Sequence, residues 1–160
     1  MKTCPYCGSP VAKENEANYY ECDFCMIQIK DAEEDGSRKT ITFRETADED
    51  DLFKTTPELM TFHTFELLSL LRLIRQKRSV KYNELYRKAK ADEITGNTAS
   101  EESREDYRFL TKKMNIVENI LLQRLGYIPD RLYDSYLTKY LDKIKNGQKN
   151  KSKMNIFKEV

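Results

Sequence analysis

The spacing of apolar and polar positions changes period once along the chain. Up to about residue 44 the apolar residues come in short β-prone runs. Asn18-Tyr19-Tyr20-Glu21-Cys22 and Met26-Ile27-Gln28-Ile29-Lys30 flank a pair of cysteines. Asp31 to Ser37 reads as a polar loop. Lys39-Thr40-Ile41-Thr42-Phe43-Arg44 then predicts one more strand with Ile41 and Phe43 on one face. From Thr56 the period is helical. Thr56 is placed as an N-cap, Pro57 as the first helical residue and Glu58 at the positive end of the dipole. Leu59, Phe62, Leu67, Leu70, Leu71 and Ile74 carry this helix to about Gln76. A turn at 76–79 leads to a shorter helix over 80–91, with Val80, Leu85 and Tyr86 facing inward, and Thr95-Gly96-Asn97 ends it. Thr98 and Glu101 have capping-box spacing. The helix they open carries Tyr107, Leu110, Met114, Val117, Leu121 and Leu125, with Gly126 as its C′ residue. A last stripe, Leu132, Tyr133, Tyr136, Leu137, Tyr140, Leu141 and Ile144, stops at Asn146-Gly147. The pattern therefore predicts a small β module followed by an all-α domain of about four helices.

The cysteines sharpen the first part. Cys4-Pro5-Tyr6-Cys7-Gly8 and Cys22-Asp23-Phe24-Cys25 form two CxxC pairs with 14 residues between them. Two intervening residues let both sulfurs of a pair meet one ion from a tight knuckle. The longer spacer is enough for a hairpin that brings the pairs together. Four thiolates close a tetrahedral shell and leave no position for water, so such a site is structural and not hydrolytic. A thioredoxin-type redox pair needs one CxxC beside a βαβ pattern, which this sequence lacks. Iron in the same four thiolates stays an alternative to zinc.

Through Cys4, Pro5, Cys7, Gly8, Cys22 and Cys25 the segment resembles the zinc-ribbon family, over the first 30 to 45 residues only. Met26 stands where a glycine is common in the second knuckle. The resemblance implies one structural Zn²⁺ held by Cys4, Cys7, Cys22 and Cys25. Ribbons of this kind occur in transcription factors, polymerase subunits, ribosomal and replication proteins and adaptors. The fold class is then a small zinc ribbon followed by an all-α helical domain. The expected division is a ribbon at 1–45, an acidic linker at 46–55, a helical domain at 56–147 and a basic flexible tail at 148–160.

Charge order matters more than the total. The 160 residues sum to +1. Residues 31–58 hold ten acidic and four basic side chains, whereas 59–91 hold eight basic and two acidic ones. Arg72, Arg75, Lys77, Arg78, Lys81, Arg87, Lys88 and Lys90 make up that basic block. It reads either as a contact surface for nucleic-acid phosphates or as a face neutralised within the chain. Zn²⁺ with four thiolates adds −2, which moves the formal total to about −1.

Enzymatic classes find no support. His63 has no cysteine or carboxylate cluster at ligand spacing, and no GxxxxGK[ST], GxGxxG or GxSxG motif occurs. The start Met1-Lys2-Thr3-Cys4-Pro5 has no apolar signal-peptide region behind it, and the most apolar stretch, Phe65 to Ile74, carries Glu66 and Arg72. A cytoplasmic protein with no membrane partner is expected, and its bias toward Lys, Asn, Ile and Tyr points to a bacterial or phage genome. The leading reading is a non-enzymatic regulatory protein that binds nucleic acid or a nucleic-acid-processing complex such as the transcription machinery. The alternative is a protein–protein adaptor or inhibitor that uses the ribbon and helical surface. Exposed apolar side chains leave a homodimer open.

About thirty residues bury too little apolar surface to offset chain entropy, and metal binding supplies of order 10 kcal/mol in modules of this size. A strong chelator is therefore expected to unfold residues 1–45 while most helical circular dichroism remains. Unchanged protease resistance of that segment after metal removal would contradict this reading.

Overall fold

The computed structural model describes residues 1–14, 18–95 and 101–156. It divides into two units, 1–42 with 142–160, and 43–141.

The first unit begins with five short strands. β1 (Lys2–Thr3) pairs antiparallel with β5 (Glu33–Glu34), while β2 (Ala12–Lys13), β3 (Tyr20–Cys22) and β4 (Ile27–Ile29) form an antiparallel sheet in the order β2-β3-β4. The register sets Cys22 opposite Ile27 and Tyr20 opposite Ile29. Its core is minute: Cys4, Cys22 and Ile29 are buried, with Cys7, Val11, Cys25 and Ile27 packed against them. Polar contacts close the sheet ends. The buried Thr3 hydroxyl accepts from the Gly36 amide at 2.9 Å and donates to the Glu33 carbonyl at 3.3 Å. The expected strand over 39–44 does not form. The Thr40 amide donates to the Glu33 carboxylate rather than to a strand edge. Ile41 belongs to the first unit and Phe43 to the second.

The second unit is built on α1 (Thr56–Met60), α2 (Thr64–Thr95), α3 (Glu101–Leu125) and the start of α4 (Asp134–Lys149). Leu67, Leu68, Leu70, Leu71 and Ile74 of α2, with Leu59 of α1 and Val117 and Leu121 of α3, are almost wholly buried. Burial of a leucine of this kind contributes about 1.5–3 kcal/mol. The first helix starts one residue earlier than expected: Thr55 is the N-cap, its hydroxyl accepting the Glu58 amide while the Glu58 carboxylate accepts the Thr55 amide. It is also short. His63 opens a new helix: its Nδ1 accepts the Phe65 amide at 3.0 Å and its own amide donates to Glu66 at 3.3 Å. The ring stacks on Phe43, 5.0 Å between centroids, and burial holds its pKa below the ordinary value. It stays neutral, with Nδ1 free to cap. The carbonyls freed at this break are taken up by Arg124, which donates to Met60 and Phe62.

Two expected boundaries are absent. α2 runs unbroken through 76–79. Gln76, Lys77, Arg78 and Ser79 include no glycine or proline, so nothing stops propagation. Val80 and Tyr86, expected inward, are exposed, and Leu85 is half-buried. α4 likewise passes through Gly147 to Lys149, since no positive φ is imposed there and no proline follows. Gly126 does end α3, with φ 80° and its amide on the Leu122 carbonyl at 2.8 Å. The capping box expected at Thr98 lies outside the described residues.

The segment read as an acidic linker is folded. Glu49–Phe53 is a 3₁₀ turn in which Asp51 and Leu52 are buried. Arg44 spreads its guanidinium over Asp48, Asp51 and Glu66, at 3.1–3.2 Å each. A carboxylate only 2% exposed, as Asp51 is, requires such a partner, because an unpaired buried charge costs several kcal/mol. The segment read as a flexible tail also carries order: α4 takes its first residues, and 151–154 bond to residues 36–40 of the same unit.

Ser79 is exposed and mid-helix. Ser79→Pro is therefore expected to destabilise the chain by about 3 kcal/mol or more through the lost backbone bond and ring clash, read by denaturant unfolding. A loss under about 0.5 kcal/mol would show that 76–79 behaves as a turn.

Candidate metal centre

Each cysteine pair sits on a knuckle, and local backbone bonds close the first. In the first, the Gly8 amide donates to the Cys4 carbonyl at 2.9 Å and the Cys4 amide to the Ser9 carbonyl at 2.8 Å. Gly8 takes φ 80°, a left-handed value that favours glycine. The Ser9 amide then points at the Cys7 sulfur, 3.5 Å away. The second knuckle lies between β3 and β4. Its equivalent position is Met26, which adopts φ 54° without being glycine. The turn is thus kept, at a strain of about 1–3 kcal/mol. The methionine side chain is 88% exposed.

The β3–β4 register carries the second pair to the first. Cys4 Sγ lies 3.9 Å from Cys25 Sγ and Cys7 Sγ 3.6 Å from Cys22 Sγ, and all four sulfurs lie within 4.8 Å of one another. All four cysteines are free thiols. Metal–sulfur bonds of about 2.3 Å in a tetrahedron place sulfurs about 3.8 Å apart, so the spacing suits a single ion. The four sulfurs can hold one metal ion, with every coordination position filled by protein.

The thiols are unlike one another in the absence of metal. The Ser9 hydroxyl and amide pull Cys7 down to about 6. Burial, then the neighbouring Cys7, Cys22 and Cys4 thiols, push Cys25 up to about 12. Cys22 is raised too: the Cys25 amide lowers it, but burial and the Cys7 and Cys4 thiols outweigh that bond. Four thiolates cannot coexist here without a cation between them.

The basic block is dispersed rather than presented. Arg72 pairs with Asp134. Arg75 bonds to Glu118 at 3.1 Å and to the Pro129 and Asp130 carbonyls at 2.7 and 3.0 Å. Lys77 reaches Glu49 at 2.6 Å, and Lys81 reaches Glu84 and Asp106 at 3.4 and 3.7 Å. Arg78 donates to Tyr107 and Thr111 and lies over the Tyr107 ring. Arg87, Lys88 and Lys90 are exposed on the outer turns of α2; Lys90 lies over the Tyr86 ring. The acceptors Tyr107, Thr111 and Glu118 form a polar stripe beside the Leu110–Val117–Leu121 stripe of α3. That stripe was the available signal for the pairing. Of the tyrosines expected on the last apolar stripe, Tyr140 stacks on Phe65 at 5.6 Å, whereas Tyr133 precedes α4 and is exposed.

Among the described residues, no helix is long and apolar enough to cross a membrane. Compared with protein-family models, curated proteins and solved structures, the chain matches none. The metal site therefore rests on its own geometry.

Metal binding requires thiolates, and both Cys22 and Cys25 are protonated at neutral pH without metal. Titrating the metal-free chain with Zn²⁺ at pH 7, in buffers of different ionisation enthalpy, is expected to release at least two protons per ion. Affinity is expected to fall as pH is lowered. Binding without proton release would contradict the four-thiolate assignment.

Proposed function

We propose that this chain is a non-enzymatic zinc-ribbon regulatory protein that works as an adaptor, docking on a protein partner through the tip of its ribbon. The observation that carries this reading is the tip itself. Phe24 and Met26 project from the second knuckle, with Phe24 78% exposed, while Tyr6 of the first knuckle is exposed beside Lys39, whose Nζ donates to its hydroxyl at 2.7 Å and lies over its ring. These apolar side chains surround sulfurs that leave no room for substrate chemistry. Exposed apolar groups clustered on a small rigid module mark an interaction site.

Electrostatics favour a protein over a polynucleotide at this tip. Zn²⁺ with four thiolates carries −2, and Glu21 and Asp23 are exposed beside it. A phosphate backbone is repelled there, while an apolar pocket with a basic rim is matched. The cations proposed for phosphate contact are mostly engaged at home: Arg72, Arg75, Lys77 and Lys81 with carboxylates, Arg78 with Tyr107 and Thr111. A cation already neutralised by a carboxylate releases no counterion on meeting a phosphate. The ribbon resemblance makes a nucleic-acid-processing complex, such as the transcription machinery, the class of partner we favour.

One observation supports a second reading. Arg87, Lys88 and Lys90 stand exposed at the outer end of α2. Direct nucleic-acid binding through these three would have a salt slope of about −3 or shallower. Affinity purification from the native host, with and without nuclease, separates the readings. The adaptor reading expects a stoichiometric protein that survives nuclease and high salt and is lost with Phe24→Ser and Met26→Ser together. A partner lost on nuclease treatment, and lost again on reversing the charges of Arg87, Lys88 and Lys90, would contradict it.

A further inference from the structure

The last described stretch of the chain is held by the N-terminal module through its backbone. The Met154 amide donates to the Gly36 carbonyl at 2.7 Å. The Ser152 carbonyl accepts from Arg38 Nε at 2.9 Å. Lys151 Nζ reaches the Arg38 carbonyl and the Thr40 hydroxyl at 3.2 and 3.3 Å. Residues 152 and 154 are two apart, so in an extended segment their backbone groups face the same side. Only the Met154–Gly36 bond runs main chain to main chain, and neither 36–40 nor 151–154 is a strand, so two backbone groups of the segment and one lysine ammonium carry the contact.

Two glycines make room for it. A Cβ on Gly8 would stand 2.9 Å from the Met154 carbonyl oxygen, and a Cβ on Gly36 2.8 Å from the same atom. Both have positive φ, 80° and 73°. One belongs to the first cysteine knuckle and the other follows β5, yet they converge on one backbone carbonyl. The side chains of Lys151, Ser152 and Lys153 are exposed and that of Met154 is half-buried. The contact therefore reads an extended backbone and one lysine ammonium more than a particular series of side chains.

We propose that the face formed by Gly8, Gly36, Arg38 and Thr40 is a docking site for an extended, lysine-bearing peptide, filled at rest by the chain's own segment 151–154. The site is separate from the Phe24–Met26 tip, and it rests on the metal reading only in that Gly8 is part of a knuckle. A covalently tethered occupant has an effective concentration of order mM. An external peptide therefore competes poorly until the segment is released, which makes the segment a displaceable guard of its own site.

The test uses two full-length chains, the wild type and Met154→Pro, whose missing amide cannot bond Gly36. The probe is a fluorescent peptide of residues 150–156. The Met154→Pro chain is expected to bind it at least tenfold more tightly than the wild type, and Arg38→Ala in the same chain to weaken binding. A probe carrying the same Met154→Pro change is expected not to bind. Equal binding to both chains, binding to neither, or undiminished binding of the altered probe would overturn the proposal. Metal analysis of the same samples keeps the readings apart. A released chain with one bound metal and no affinity for the probe overturns the docking site alone, whereas a folded, probe-binding chain without metal overturns the metal reading alone.

Discussion

Four sulfurs gathered within 4.8 Å are the constraint on which the N-terminal unit depends. Its strands are two or three residues long, and its buried core consists of Cys4, Cys22 and Ile29. Two of those three are the proposed ligands. Without an ion the cluster opposes the fold, because burial and mutual proximity disfavour more than one thiolate. With an ion the same proximity becomes the cross-link. Met26 shows how strongly the arrangement is held, since a methionine occupies a left-handed turn where glycine costs less.

The second unit is organised by the opposite device, charge distributed so that little is left over. Arg44 gathers Asp48, Asp51 and Glu66, and the cations of α2 are matched by acceptors on α3, on the start of α4 and in the 3₁₀ turn. Such pairs contribute modestly where exposed and more where half-buried, as for Arg75 with Glu118. Their larger effect is on what the surface offers. Of the strongly basic block in the sequence, Arg78 is taken up by the neutral Tyr107 and Thr111, and Arg87, Lys88 and Lys90 at the outer end are the exposed cations without ion-pair partners among the described residues. That is why we favour a protein partner at the knuckle tip.

What could be read from the sequence was whatever local spacing encodes. The two CxxC pairs announced one site, and the sulfurs do converge. Gly126 announced the end of α3, and the Thr-Pro-Glu run placed the start of α1 to within one residue. The failures have two causes: some boundaries were set by local capping or by the absence of a helix breaker, and others by contacts far along the chain. The acidic run at 48–51 looked like a solvated linker because Arg44 and Glu66, which fold around it, show no pattern linking them to it. The turn expected at 76–79 rested on a lapse in apolar spacing, but a helix continues through polar residues when its side chains find partners, as Lys77 and Arg78 do. The basic tail looked disordered by composition. Residues 151–154 are bonded to Gly36, Arg38 and Thr40 and lie against two glycines, at 8 and 36, whose left-handed backbone is suggested by residue type but whose shared neighbour is not.

The central claim is that Cys4, Cys7, Cys22 and Cys25 bind one ion as four thiolates and that the ribbon is folded around it. X-ray absorption at the metal edge of the purified full-length chain tests this most directly. The account predicts one zinc per chain with a first shell of sulfur alone at about 2.3 Å. Nitrogen or oxygen scatterers at about 2.0–2.1 Å, or a folded N-terminal unit with no metal, would contradict it.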